Sequence, residues 1–146
     1  MKNFITLFII VSLLGCSNSS TLESEINFSL IKKGSLNGSE GVTQSNLIVN
    51  DNTTWNDILN KIVSIGNPID HFTETNIDFN RYQIIASFDK VYGVGGHTLN
   101  IETIKESGNN LVVITKKTDD KSVISVVSQP YHIVKILKTD KNIVFE

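Results

Sequence analysis

The segment best equipped for chemistry is the glycine-rich stretch 91–99, VYGVGGHTL. Closely spaced glycines let a backbone loop approach a phosphate, but a dinucleotide-binding motif needs GxGxxG between a strand and a helix. Here an alternating, strand-like pattern follows the glycines, so Gly95 and Gly96 are expected to provide positive φ or close backbone approach between two strands. The functional alternative is a presented binding loop, whose candidate contact residues are Tyr92, Gly93, Gly95, Gly96 and His97.

The rest of the chain offers few groups for catalysis. Its three histidines, His71, His97 and His132, lie far apart and lack the HxH or HxxxH spacing of a metal site. Neither a GxSxG motif nor a Walker A motif occurs. Asp119 and Asp120 adjoin lysines, which is typical of a solvated turn. We therefore predict no catalytic residue, no metal and no cofactor, with a hydrolase that uses His97 or His132 as a base as the enzymatic alternative.

The first residues are typical of an export signal. Lys2 precedes an apolar run from Phe4 to Leu14, and Gly15 precedes Cys16, the only cysteine of the chain. The run is shorter than the roughly 20 apolar residues that a transmembrane helix needs. Its ending, LLGC, resembles the bacterial lipobox, in which the signal is removed and the cysteine is diacylated.

The lipobox resemblance implies a signal peptide at 1–15 and a membrane anchor on Cys16. Acyl chains contribute about 0.8 kcal/mol per buried CH₂, so several chains on one cysteine hold a soluble domain at a membrane. The small polar residues that follow predict a flexible tether over 16–25. Ser17 is not the acidic residue that retains some lipoproteins at the inner membrane. The expected location is therefore the bacterial cell envelope, on the periplasmic side of the outer membrane.

Composition favours one exported domain over 26–146. The chain has 146 residues and a formal net charge of −2, which becomes −3 when Lys2 is removed with the signal. This balance lacks the clustered basic face that nucleic acid requires, so no nucleic-acid partner is predicted. With a single cysteine no disulfide staples the domain, and the 40% apolar content must supply a hydrophobic core.

One segment predicts a helix. Five apolar residues within 52–66 follow the spacing of one helix face: Trp55, Ile58, Leu59, Ile62 and Ile65. Asn52 or Thr53 is expected to cap this helix and Gly66 to end it. We interpret Trp55 as a core residue rather than a ligand-stacking one.

The other elements are expected to be strands. Short apolar or alternating runs place them at 26–31, 44–50, 80–90, 97–107, 111–118, 122–138 and 142–146, with a glycine-punctuated turn region from 32 to 41. The run 80–90 is expected to be buried on both faces, and 97–107 to form a hairpin with 111–118.

Single residues of these strands carry further predictions. Pro130 marks a bulge, an edge or a join between strands. His132 is expected to be partly buried and hydrogen-bonded, and His97 to lie at the surface or at a strand start. The predicted fold class is α+β, with one main helix packed on a mostly antiparallel β-sheet.

Several short motifs between residues 80 and 138 carry a family resemblance. They are an apolar strand at Ile84–Phe88, the pair Gly95-Gly96, an alternating strand, a turn, a further strand, and a strand led by Pro130. In this order they resemble the C-terminal domain of PrcB-like proteins, a family named for a lipoprotein component of a bacterial surface protease complex. Relatives usually have an aromatic after the glycine pair, where this chain has His97.

The PrcB-like resemblance implies a non-enzymatic accessory lipoprotein that binds or stabilises a partner protein, such as an exported protease. From the residues themselves, the 91–98 loop is the contact surface we expect. An alternative of a different class is a periplasmic domain that binds a small ligand in a pocket between the helix of Trp55 and the sheet.

Overall fold

The computed structural model describes residues 24–63, 69–120 and 125–146. The predicted signal peptide, Cys16 and most of the predicted tether lie outside these residues, as does Gly66. The described elements, in chain order, are β1 (Ser24–Glu25), β2 (Ser29–Leu36), β3 (Ser45–Val49), α1 (Asn52–Ile62), a 3₁₀ turn (Ile69–His71), β4 (Tyr82–Phe88), β5 (His97–Ser107), β6 (Asn110–Asp119), β7 (Gln129–Leu137) and β8 (Asn142–Phe145). The last two residues of the predicted tether are thus the first strand.

The strands form two sheets. The central sheet has the order β2-β7-β4-β3 and is antiparallel throughout. The outer sheet has the order β1-β5-β6-β8 and is antiparallel except where β8 runs parallel to β6. The α+β class, with one main helix and mostly antiparallel strands, is confirmed. The structure adds that the strands divide between two sheets.

The central sheet lies between α1 and the outer sheet. Because successive side chains of a strand point to opposite faces, Ile84 and Ala86 of β4 pack with the helix while Ile85 packs with the outer sheet. Residues 83–88 of β4 and 129–134 of β7 are all buried. The prediction that the 80–90 strand is covered on both faces is therefore confirmed.

Helix α1 forms in the predicted segment, but both of its ends differ. It ends at Ile62, with the extended Val63 as its C-cap, so the expected end at Gly66 is wrong, and Ile65 lies outside the described residues. Asp51 is the N-cap, because its Oδ1 accepts the Thr54 N–H at 2.8 Å. The expected caps Asn52 and Thr53 are therefore wrong and belong to the first turn. Trp55 has no exposed surface, and its Nε1 donates to the Thr75 carbonyl at 2.7 Å, which confirms its interpretation as a core residue.

Several strand boundaries differ from the prediction: the strand expected at 26–31 runs from Ser29 to Leu36, and the run expected at 122–138 becomes a strand at Gln129, after residues 125–127, which are not in a strand. Lys32 and Lys33 were expected in a turn but lie in β2, an edge strand, where exposed lysines are tolerated. The prediction that Pro130 marks a bulge, an edge or a join between strands is wrong: it is the second residue of the central strand β7 and pairs in regular register with Ser35. The Pro130 carbonyl accepts the Asp89 N–H at 2.9 Å. The backbone bond at this point therefore uses the carbonyl, and the N–H that proline lacks is not needed.

Candidate functional site

The glycine-rich loop, residues 89–96, connects β4 of the central sheet to β5 of the outer sheet. A strand follows it, so it has no helix N-terminus to face a phosphate. Gly96 has φ +90° and its carbonyl accepts the Asp120 N–H at 3.0 Å, which makes it the glycine that the connection requires. A Cβ on Gly93 would meet nothing within 4 Å, so Gly93 lies open on the surface.

A buried carboxylate, Asp89, organises the start of this loop. The residue is 1% exposed, and its Oδ1 accepts from the Lys117 ammonium at 2.7 Å and from the Lys90 N–H at 2.8 Å. Its Oδ2 accepts from the Tyr92 hydroxyl at 2.9 Å. Burial raises the pKa of Asp89, but these hydrogen bonds outweigh burial and hold the pKa below its usual 3.8. Asp89 is therefore a charged structural centre between the two sheets.

Tyr92 and His97, two of the predicted contact residues, lie against each other. Their rings stack with centroids 3.6 Å apart and an interplanar angle of 14°. His97 begins β5, as expected, and its Nδ1 lies 3.5 Å from Asp119 Oδ1. Burial and the hydrogen bond to Asp89 raise the pKa of Tyr92 to about 12, so its hydroxyl stays protonated as a donor. The stacked pair therefore links the loop to the start of β5, with Tyr92 as a hydrogen-bond donor to Asp89.

Four exposed valines lie on two adjoining segments, two of them in this loop and two at 126–127. We call them the valine patch: Val91, Val94, Val126 and Val127. The segments are joined by two backbone hydrogen bonds, from Tyr92 N–H to the Ser128 carbonyl at 2.8 Å and from Ser128 N–H to the Tyr92 carbonyl at 3.0 Å. A Cβ on Gly38 would lie 2.8 Å from Val91 Cγ1 and 3.3 Å from Val127 Cγ1, so Gly38 lies beside both valines.

Sequence reasoning missed Asp89, Lys117 and the second half of the valine patch. The signal for Asp89 was a charged residue directly after a buried apolar strand, at the end of SFDK. Lys117 gave no such signal, because its partner is 28 residues away. Val126 and Val127 looked like ordinary strand residues, and only the bridge between Tyr92 and Ser128 places them beside the loop.

The other two histidines lie outside the loop. His132 is 7% exposed, and its Nδ1 accepts the Ile101 N–H at 2.7 Å where β5 shifts register, so the expected buried and hydrogen-bonded state is confirmed. The ring proton is therefore on Nε2, and burial, with a smaller effect of Lys33, lowers the pKa of His132 to about 4. His71 is exposed in the 3₁₀ turn. Within the described residues, no group of three histidine, cysteine or acidic side chains is placed to hold a metal ion.

Two cavities lie near the start of β3. A cavity of about 250 Å³ opens between α1 and the central sheet, against Leu47, Ile58, Ile62 and Phe88. Trp55 does not line it, and its volume is below the about 300–1,000 Å³ typical of small-molecule sites, so the small-ligand alternative stays a prediction. A more polar cleft of about 410 Å³ lies between the two sheets, and its lining includes Gln44, Asn46, Thr115 and Lys117.

In the comparison with known proteins, no protein-family model, no curated protein and no solved structure matches this chain. The resemblance to PrcB-like proteins therefore rests on the sequence motifs and stays a prediction. None of the helices in the described part of the chain has the length and apolar character needed to cross a membrane.

Proposed function

We propose that this chain is a lipid-anchored, non-catalytic protein of the bacterial cell envelope that binds a partner protein through the glycine-rich loop 89–96, the adjoining His97 and the valine patch. The observation that carries the proposal is the patch itself. Of the eight large apolar side chains that are exposed in the described residues, four lie on these two adjoining segments. Grouped exposed apolar side chains mark protein-interaction sites more often than scattered ones do.

The surroundings of the patch support a binding role because they make the loop rigid before a partner arrives. The Asp89 carboxylate holds Tyr92, Tyr92 stacks on His97, and the Lys90 ammonium lies 5.0 Å from the Tyr92 ring centroid. A loop that is already ordered loses little conformational entropy on binding. Tyr92, Gly93, Gly95, Gly96 and His97 thus present and support the valines, and the direct apolar contact comes from the patch.

The anchor and the kind of partner rest on the sequence motifs. LLGC before the single cysteine supports acylation of Cys16, and Ser17 supports the outer membrane. The PrcB-like motifs favour an exported protease, or another envelope protein that needs stabilising, as the partner. Replacement Cys16→Ser is expected to move the chain from the membrane fraction to the soluble fraction, and retention in the membrane fraction would contradict the anchor.

The binding surface is tested by affinity capture from gently solubilised envelopes. The variant Val94→Glu/Val126→Glu changes two exposed positions of the patch, and Leu137→Glu makes the same kind of change at a 66% exposed residue outside it. We expect a common set of proteins to be recovered by the wild type and by Leu137→Glu, and to fall about tenfold or more with the double variant. Equal recovery by all three would exclude the patch as the binding surface.

A further inference from the structure

The edge strand β3 is open for pairing. Within the described residues it is hydrogen-bonded only to β4, in a regular antiparallel register from Ser45 to Val49. Every second residue of an edge strand directs its N–H and C=O away from the sheet. Asn46 and Ile48, whose side chains point away from the helix, are exposed, the latter by 40%.

The other three sheet edges in the described residues carry features that discourage pairing, and β3 does not. Strands β1 and β8 are short, with two and four residues. Strand β2 carries Lys32 and Lys33 and shifts register after Leu30. Charges, bulges and short length are the usual protections of an edge. Strand β3 has five residues, SNLIV, with no charge, no proline and no bulge.

The two faces beside β3 offer different environments. On the helix side the cavity of about 250 Å³ is walled by apolar side chains, among them Leu47, Ile58 and Phe88. On the outer-sheet side the cleft of about 410 Å³ includes Asn46 and Thr115. Side chains of an added strand would alternate between these faces. The helix-side cavity is small for a free ligand but large enough for one aliphatic side chain.

Both cavities beside β3 carry positive charge, which favours an acidic peptide over a basic one. Lys61 lines the helix-side cavity and Lys117 lines the cleft, and none of the described residues lining either one is acidic. An ammonium has three donors, and Lys117 gives one of them to Asp89, so it retains donors for a second carboxylate. The polar cleft with Lys117 therefore favours an acidic side chain, and the apolar walls of the helix-side cavity favour an apolar one, with the Lys61 charge adding a general attraction for an acidic peptide.

We propose that β3 binds an extended peptide by strand addition, and that the peptide alternates apolar with acidic side chains. Main-chain hydrogen bonds to the open edge provide the affinity, and the two cavities select alternate side chains. No residue of the valine patch lines either cavity, so the peptide site and the patch are different surfaces, although Lys117 lines the cleft and also holds Asp89 at the start of the loop. Either site can exist without the other.

The first experiment uses a fluorescein-labelled hexapeptide that alternates valine with aspartate, added to the full-length chain in detergent micelles. Fluorescence anisotropy is expected to rise to saturation, with an affinity about tenfold or more above that of the matched valine–lysine peptide. The variant Lys61→Glu is expected to weaken binding about threefold or more, whereas Lys33→Glu, on the opposite edge, leaves it unchanged. Equal binding of both peptides, or no saturation, would overturn the proposal.

The second experiment tests strand pairing without altering the protein. The same peptide is N-methylated on alternate amides, in two complementary patterns. Only one set of amides faces β3, so one pattern is expected to reduce affinity about tenfold or more while the other retains it. Equal affinities of the two methylated peptides would rule out strand addition.

The third experiment locates the peptide by hydrogen exchange. Alternate amides between Ser45 and Val49 are expected to become protected when the peptide is added, in the wild type and in Val94→Glu/Val126→Glu alike. Protection at 91–97 instead would overturn the site. Protection of 45–49 without peptide, together with a concentration-dependent dimer in sedimentation, would identify a second copy as the occupant and also overturn it.

Discussion

The two faces of the central sheet are built on different principles. The face toward α1 is an apolar core in which the side chains of β4 and β7, such as Ile84 and Ile133, pack against the helix. The face toward the outer sheet has an apolar centre, including Ile85 and Val134, but also holds polar groups. Asp89 and His132 are both buried, and both contact the outer sheet.

The difference shows how each layer is held. Burial of apolar area is not directional, so the position of the helix on the sheet depends on how well the apolar side chains fill the space between them. On the other face, the His132–Ile101 hydrogen bond and the Asp89–Lys117 ion pair join fixed points of the two sheets. Such contacts specify how the outer sheet sits on the central sheet. Since Asp89 also begins the glycine-rich loop, the polar face is the one that positions the proposed binding surface.

The largest expected effect comes from the apolar face. Trp55→Ala should lower the free energy of unfolding by about 3–5 kcal/mol, because it removes a fully buried ring and leaves a cavity. Urea denaturation measures the loss, with Leu137→Ala as an exposed control that changes stability by about 0.5 kcal/mol or less. A loss below about 1 kcal/mol for Trp55→Ala would mean that the helix is not held by burial.

The second prediction concerns the pH dependence of stability, which we expect to come from His132 on the face toward the outer sheet. In the folded chain the pKa of His132 is about 4, against a usual 6.5, so between these values the unfolded chain binds more protons. Stability from this group is therefore complete above pH 6.5 and is lost as pH falls toward 4, by about 3 kcal/mol.

Unfolding of the wild type and His132→Gln at several pH values tests this. Glutamine can still accept the Ile101 N–H through Oε1 but does not titrate, so the variant should lose the decline between pH 7 and 4. The control His71→Gln changes an exposed histidine and should keep the wild-type profile. An unchanged decline in His132→Gln would assign the acid sensitivity elsewhere.

What the sequence could predict follows the same division. Helix α1, the hairpin of β5 and β6 and the double burial of β4 were predictable, because each depends on a local pattern of apolar residues. The Asp51 cap was missed because Asp, Asn and Thr at 51–53 are all good caps, and only the geometry selects among them.

The polar contacts between the two sheets were harder to predict from the sequence, because they join residues far apart in the chain. The stacking of Tyr92 on His97 was local enough for both to be chosen together as candidates. His132 was expected to find a hydrogen bond, but its partner Ile101, beside the register shift of β5, is 31 residues away in the chain. The division into two sheets was not predicted for the same reason. Alternation of apolar and polar residues shows which side chains share a face of a strand, but it does not show which strands are neighbours.

The smallest expected effect on stability is that of the Asp89–Lys117 ion pair, and it tests directly whether polar contacts hold the outer sheet on the central sheet. A double-mutant cycle with Asp89→Asn and Lys117→Met isolates the ion pair that links the sheets. Lys117 is 49% exposed, so solvent weakens the attraction, and we expect a coupling of about 1 kcal/mol at pH 7. Because the pKa of Asp89 lies below 3.8, the coupling should persist at pH 5 and disappear as pH falls through that lowered pKa.

The His132 contribution to stability is lost at higher pH than the Asp89–Lys117 coupling, so the two contacts are distinguishable by titration. A coupling near zero at pH 7 would mean that burial alone holds the outer sheet at this end, as it holds the helix, and the contrast between the two faces would then rest on His132 alone.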